Sequence, residues 1–211
     1  MSILTISGWS QAENIISNTL DLPSDYLTYH NKEFPDIITN IQNSHYDYII
    51  GWSLGGQIAM KLLQYIKIKK LILISTPYQF VNDKTYHYGI TEKEFSGFKY
   101  LLNKNKKKLL EHFNKLMGES PTSQEFSKSN TENLLYWLQF LKDFNGNKYS
   151  YNITSLLIYG KLDKIVNYHQ GKIYTRQLKN SSLEIFPLAS HIPFLHDPIK
   201  FNLLVNKFLN E

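Results

Sequence analysis

One stretch, DYIIGWSLGGQIAM at residues 47–60, limits the possible folds more than any other part of the chain. Tyr48, Ile49 and Ile50 form an apolar run, which a strand carries when both of its faces are buried, as in a parallel sheet. From Leu54 the spacing changes, and Ile58, Ala59, Leu62, Leu63 and Ile66 recur as on one face of a helix. Between the two sits Ser53, with Gly51 two residues before it and Gly55 two after. A serine on so tight a strand-to-helix turn holds its hydroxyl above the sheet edge. Side chains at 51 and 55 would collide with the turn, so glycine is required for steric reasons. The helix that follows aims its first N–H groups at the same place and favours negative charge there.

The flanking segments extend this strand–helix unit. ILTISGWS reads as a short strand broken at Gly8, AENIISNTL as a helix, and DYLTYH as a further extended piece. FPDIITNIQNS has a proline near a helix start and leads into the strand that ends at Ser53. KKLILIST then supplies another strand of consecutive apolar residues. From about Tyr86 to Ser150 no strong strand is expected. Phe95, Phe98, Leu101 and Leu102 fall at helical spacing, as do Leu109, Phe113, Leu116 and Met117, and later Leu134, Trp137, Leu138, Leu141 and Phe144. GESPTS and NGN punctuate this helical insertion. The alternation then resumes with the strand SLLIYG, the helix YHQGKIYTRQL, the strand SLEIFP and the closing helix DPIKFNLLVNKFL. The expected division is a core of residues 1–85 and 151–211 with a helical cap at 86–150.

Composition excludes several chemistries. The chain has 211 residues and no cysteine, so thiolate catalysis, disulfides and cysteine-bound metal are out, and a reducing cytoplasm is the expected compartment. No apolar run reaches the roughly 20 residues of a membrane span, and the opening MSILTISGWS does not read as a secretion signal. A hydrophobic share of 42% against 19% charged residues suits a soluble globular chain.

An unassisted serine is a weak nucleophile and needs a base, and the base needs an acid to orient it. Where such elbows occur, the partners follow in the order acid, then histidine. LLIYGKLDKIV places Asp163 just beyond a late strand, and EIFPLASHIPF places His191 beyond the last one. Asp143 and Asp197 stand as alternative acids. His196 in FLHDP is five residues late and beside a helix start, which suits a surface or capping residue, and His169 falls in an expected helix. Donors for a tetrahedral oxyanion would be the N–H after the nucleophile, at Leu54, and one in the loop after the first strand, at Trp9. Each such donor contributes about 3–4 kcal/mol by substitution. No metal and no organic cofactor are expected, since serine chemistry needs neither.

These motifs together resemble the BioH-type pimeloyl-[acyl-carrier protein] methyl ester esterases of the α/β-hydrolase superfamily. The likeness runs through GWS, IIGWSLGGQIAM, LILISTP, LLIYGKLDKIV and SHIPFLHDP, over nearly the whole chain. It implies an α/β-hydrolase fold: a mostly parallel, doubly wound sheet with a helical cap insertion. It also implies hydrolysis of the methyl ester at the far end of a pimeloyl chain held on acyl carrier protein, in biotin synthesis. Ser53 would be the nucleophile, His191 the base and then the acid, and Asp163 its orienter. Trp9 and Leu54 would line the ester site with Ser53 and His191. The segment Phe113, Asn114, Lys115, Leu116 and Met117 matches the family's substrate-contacting cap stretch. Two departures stand out: Ser7 precedes the Gly-Trp pair where the family usually has His, and the opening is shorter by one or two strands.

Charge adds a partner. Between Lys99 and Lys115 lie Lys104, Lys106, Lys107 and Lys108, with Glu111 the only acid. A basic cap would steer an acidic carrier protein to the pocket. No stacking platform or binding motif accompanies the lysines, so nucleic acid is not expected as a partner. A lipase-like cap lying on a membrane surface is the alternative use of that face. The chain is expected to act as a monomer without stable membrane association. The rival readings are a broad short-chain esterase, an acyl-thioesterase of the same machinery, and a non-catalytic binding module.

Overall fold

The computed structural model describes residues 1–118 and 129–211. Six strands form one sheet: β1 (Ile3–Ile6), β2 (Asp25–Tyr26), β3 (Tyr48–Trp52), β4 (Lys70–Ile74), β5 (Thr154–Gly160) and β6 (Ser181–Phe186). Their order is β2-β1-β3-β4-β5-β6, and every neighbouring pair is parallel. The helices α1 (Phe34–Ile41), α2 (Leu54–Leu62), α6 (His169–Gln177) and α8 (Pro198–Asn210) connect or follow these strands. Such an arrangement is a doubly wound α/β fold. The apolar runs at Ile49, Ile50, Leu71, Ile72, Leu73, Leu157 and Ile158 are fully enclosed, as a sheet covered on both faces requires.

Strand order reverses at β1, which lies between β2 and β3. In open α/β sheets the crevice at the carboxyl ends of the strands flanking such a reversal is where ligands bind. The loop after β1 carries Trp9 and the turn after β3 carries Ser53, so both candidate residues stand at this switch point.

Three further helices fill the middle of the chain: α3 (Glu92–Lys104), α4 (Lys106–Met117) and α5 (Thr131–Asp143). Their starts are set by side chains. Thr91 and Glu94 form a reciprocal capping box at α3, while Asn105 and Asn130 accept backbone N–H groups at α4 and α5. Among the described residues of this region there is no strand. The turn expected at NGN is a short 3-10 turn, Gly146–Lys148. Of the break expected at GESPTS, residues 118–123, Gly118 closes α4 with a φ of 92°, and 119–123 lie outside the described residues.

Helix α5 is latched to the start of the chain. Its Asn133 Oδ1 accepts from the Asn31 N–H at 3.0 Å, and its Trp137 indole donates to the Lys32 carbonyl at 3.1 Å. The Tyr136 hydroxyl accepts from the Phe34 N–H at 3.0 Å.

Two expectations need correction. AENIISNTL is not a helix but a chain of turns. Ser17 and Thr19 donate their hydroxyls to the carbonyls of Asn14 and Ile15, competing with the regular helical ladder. Ile15, Ile16 and Leu20 are nonetheless buried, so the segment still covers the core. In DYLTYH only Asp25–Tyr26 pairs as strand β2. The N–H groups of Tyr29 and His30 turn instead to the Glu13 carboxylate, at 2.9 and 3.0 Å.

Candidate active site

Ser53 is held in a conformation that few L residues adopt. Its φ of 53° and ψ of −118° mark an abrupt break between β3 and α2, with only 7% of the residue exposed. Left-handed backbone of this kind costs on the order of 1–3 kcal/mol and persists only where its surroundings over-determine it. Here the Ser53 N–H donates to the Ile74 carbonyl at 2.8 Å, and its own carbonyl accepts from Gly56 at 3.0 Å. The flanking glycines are sterically obligatory. A Cβ on Gly51 would lie 2.6 Å from the Gly56 Cα, and one on Gly55 would strike the Ile6 carbonyl and come within 2.6 Å of the Ser7 oxygen. The chain therefore crosses itself closely where β1 and the elbow meet.

The two late loops converge. His191, 2% exposed, lies in the loop after β6, and its Nδ1 stands 2.7 Å from the Asp163 Oδ2. The Asp163 side chain is wholly buried. Its other oxygen, Oδ1, accepts the N–H groups of Ile165 and Val166 at 2.8 and 2.9 Å. The carboxylate is thus fixed by its own loop and presents one oxygen to the imidazole. The His191 backbone is anchored as well, since the Trp52 indole N–H donates to its carbonyl at 3.0 Å. Among the described residues no group of three or more His, Asp or Glu could hold a metal ion.

Ser53 and His191 line one pocket together with Gly8, Trp9, Phe113 and Met117. The remaining wall comes from Gln11, Trp52, Phe80, Leu141 and Ile165. About 10 Å³ is open to the centre of a water-sized sphere, on the order of one water molecule. Within the segment 113–117, only Phe113 and Met117 face this space. Lys115 is exposed, and Asn114 and Leu116 are half-buried outside the pocket wall.

The loop after β1 is tied down from three sides. The buried Ser7 hydroxyl donates to the Ala12 carbonyl at 2.7 Å, and the Tyr29 hydroxyl donates to the Gly8 carbonyl at 2.6 Å. Burial, with Glu13 nearby, pushes the Tyr29 phenol up, so it stays protonated as a donor. The Trp9 indole donates to the Leu134 carbonyl of α5 at 3.0 Å and meets the Phe113 ring at 5.1 Å. Ser7 therefore closes the loop that carries the Trp9 amide. On the other side, Leu54 is the first residue of α2, upstream of the Gly56 N–H that begins the helical ladder. Its amide belongs to the free donors of a helix start.

Other candidates lie elsewhere. Asp197 accepts from the Lys200 N–H at 3.0 Å as the cap of α8. Asp143 is exposed and accepts from Gln139. His196 ends the short helix α7 (Pro193–His196). Of the cap lysines, Lys104, Lys107 and Lys108 are exposed, whereas Lys106 is half-buried and its ammonium donates to the Ser129 carbonyl at 2.5 Å. Lys107 stands 4.0 Å from Glu111.

Besides Gly8 and Trp52, which adjoin the expected Trp9 and Ser53, sequence reasoning missed four pocket residues: Gln11, Phe80, Leu141 and Ile165. Signals existed for two: Phe80 follows the end of β4 by six residues, and Ile165 lies two residues past Asp163. Gln11 matters most of the four. Among the described residues of the wall, it is the one polar side chain apart from Ser53, His191 and the indoles.

The family described as alpha/beta hydrolase fold matches residues 17–198. The chain is 26% identical over 246 aligned positions to the pimeloyl-[acyl-carrier protein] methyl ester esterase of Wigglesworthia glossinidia brevipalpis, covering 100% of this chain and 94% of that protein. It is 29% identical over 176 positions to the protein of the same name from Nitrosospira multiformis, covering 76% and 67%. Among solved structures, an esterase from Exiguobacterium antarcticum superposes with a TM-score of 0.86 at 18% identity, covering 100% of this chain and 92% of that one. A bromoperoxidase from Bacillus anthracis gives 0.82 at 15% identity, covering 100% and 92%. At such identities the structural likeness speaks for the fold alone.

Proposed function

We propose that this chain, which belongs to the alpha/beta hydrolase fold family, is a serine carboxylesterase whose triad is Ser53, His191 and Asp163. The observation that carries the reading is the buried His191–Asp163 contact of 2.7 Å, with that histidine sharing a pocket wall with Ser53 at its left-handed turn.

The steps follow from the positions. Ser53 Oγ attacks the ester carbonyl while its proton passes to His191 Nε2. Asp163 holds the opposite ring nitrogen as the N–H donor and stabilises the imidazolium that forms. The N–H groups of Leu54 and Trp9 receive the negative oxygen of the tetrahedral intermediate. Collapse expels the alcohol, which takes the proton from His191 and leaves an acyl-Ser53 ester. Water, deprotonated by His191, then releases the carboxylic acid and restores Ser53.

The substrate proposed is the methyl ester of a pimeloyl chain on acyl carrier protein, with methanol as the leaving alcohol and biotin synthesis as its setting. Support comes from the curated relatives that bear this name and from the apolar wall of Phe80, Phe113, Met117 and Leu141. The narrow free space requires Phe113 and Met117 to swing aside for an acyl chain. In this reading residues 86–150 act as a cap on a core of 1–85 and 151–211. The protein works as a cytoplasmic monomer, and exposed Lys104, Lys107 and Lys108, with the partly engaged Lys106, assist approach of the acidic carrier.

Product analysis with a fluorophosphonate probe tests the proposal. The expected result is labelling of wild type but not Ser53→Ala, and release of methanol with the thioester intact. Free carrier thiol would instead mean a thioesterase. No labelling of wild type would leave a binding module.

A further inference from the structure

The end of α4 is tied to the loop that carries His191. The half-buried Ser190 donates its hydroxyl to the Met117 carbonyl, one of the last carbonyls of that helix, which find no partner within it. At Gly118 the chain leaves the helix with a φ of 92°, so close to Ser190 that an added Cβ would lie 2.7 Å from both its Cβ and its Oγ. Among the described residues, the Ser190–Met117 bond is the one hydrogen bond that joins the last turn of α4 to another part of the chain.

The two sides of this contact differ in what else holds them. Ser190 sits on a rigid base. The Leu162 N–H donates to the Ala189 carbonyl at 2.9 Å, and Gly160 at the end of β5 lies so near that a Cβ there would strike the Ser190 carbonyl oxygen. One residue further on, the Trp52 indole donates to the His191 carbonyl at 3.0 Å. The backbone of the histidine loop is therefore fixed on both sides of Ser190 without help from its hydroxyl. The helix end relies on side-chain packing: Phe113 meets the rings of Trp9 and Phe98 at 5.1 and 5.5 Å, and Met117 is buried. The constraint thus runs from loop to helix.

Phe113 and Met117 stand four residues apart on one face of α4, and both line the pocket of Ser53 and His191. Ser190 is not on that wall. We propose that Ser190 is a positioning residue: its hydroxyl holds the end of α4, and with it Met117 and Phe113, at a set distance from Ser53 and His191, and so fixes the room left for the acyl group. This role rests on the esterase reading above and adds a determinant of acyl width outside the wall itself. With the link in place only the side chains of Phe113 and Met117 yield to a substrate, while the helix backbone stays. Without it the last turn recedes, so a short acyl group loses packing and a longer one gains room.

The test uses the whole chain as wild type, Ser190→Ala, Gly118→Ala and the double variant. Gly118→Ala crowds the same contact from the helix side. Two measurements are made: steady-state kinetics on p-nitrophenyl acetate and p-nitrophenyl octanoate, and amide hydrogen exchange over residues 114–118. In each single variant the octanoate-to-acetate ratio of kcat/KM should rise about threefold to tenfold, the worth of one hydrogen bond. The change should lie in KM, with kcat and its pH profile, which report His191, as in wild type. Exchange over 114–118 should quicken by about the same factor. The double variant should go little beyond the larger single effect, since both changes break one contact. An unmoved ratio or unmoved exchange overturns the proposal. So does a changed kcat or pH profile, which would place the effect on His191, and so do additive single effects, which would mean two separate contacts. Wild type that cleaves both esters with a ratio the variants do not move leaves the esterase reading standing. Wild type that cleaves neither ends that reading, and the proposal falls with it.

Discussion

Asp163 divides its two carboxylate oxygens between two tasks: Oδ2 meets the His191 imidazole at 2.7 Å, while Oδ1 accepts the N–H groups of Ile165 and Val166. In the proposed mechanism, catalysis and loop structure are therefore separable by substitution. Asp163→Asn keeps an oxygen for the loop but spoils the tautomer of His191. It should lower kcat by about 10⁴ with KM nearly unchanged. Asp163→Ala also orphans the two amides and should lose about 1–3 kcal/mol of stability per buried donor left unpaired. Steady-state kinetics and urea unfolding of both variants separate the two effects.

Glycine positions predict opposite signs. Gly55→Ala places a methyl against the backbone of Ile6 and Ser7, where nothing flexible can yield. It should destabilise by about 3 kcal/mol or more, or prevent folding. Gly97, inside α3, has open space around the same hypothetical methyl. Gly97→Ala should stabilise by about 0.5–1 kcal/mol, seen as a rise of about 1–4 °C in Tm.

Acid sensitivity follows from Asp47 near the start of β3. Lys69 at 2.8 Å, together with the Ser2 N–H, holds its carboxylate down to about 2. Because this lies below the unfolded value of about 3.9, the group's contribution is fully present above pH 3.9. It is lost as pH falls through 2. Asp83, held at about 2 by Gln79 and Thr85, behaves alike. Urea midpoints measured from pH 6 to pH 2 should fall less steeply for Asp47→Asn than for wild type; coincident acid limbs would contradict the assignment.

Pocket width sets acyl preference in this reading. Met117 is buried and lines a space of about 10 Å³. Met117→Ala should shift the optimum of a p-nitrophenyl ester series toward longer chains. The cost in stability is about 2–5 kcal/mol, as for other buried Met→Ala changes. An unchanged chain-length profile would remove Met117 from the acyl site.

What could be read from the sequence was local. β3, Ser53 and α2 are specified within fifteen residues, because strand burial, turn sterics and helix spacing all act over short range. The loops bearing Asp163 and His191 were legible for the same reason, the first following the apolar run of β5 and the second the mixed strand SSLEIF of β6. The turns at residues 12–20 were not, because Ser17 and Thr19 look tolerable in a helix until their hydroxyls take up the backbone carbonyls of Asn14 and Ile15. Nor were Gln11 and Leu141 as wall residues, since 130 positions separate them and only the packed cap brings them to one pocket. The hold of the Ser129 carbonyl on Lys106 was equally invisible, which is why a lysine run looked like a uniform patch.

The latch between α5 and residues 31–34 has a consequence for the order of assembly. Asn31, Lys32 and Phe34 find their hydrogen-bond partners at Asn133, Trp137 and Tyr136, a full hundred positions downstream. During ribosomal synthesis the amino-terminal third must wait, without these partners, until that helix has emerged. Contacts so remote in sequence slow the search for the native state and prolong exposure of the apolar strands. A stalled or truncated chain ending before α5 would therefore leave β1 and its loop without their outer clamp, a natural target for chaperone capture.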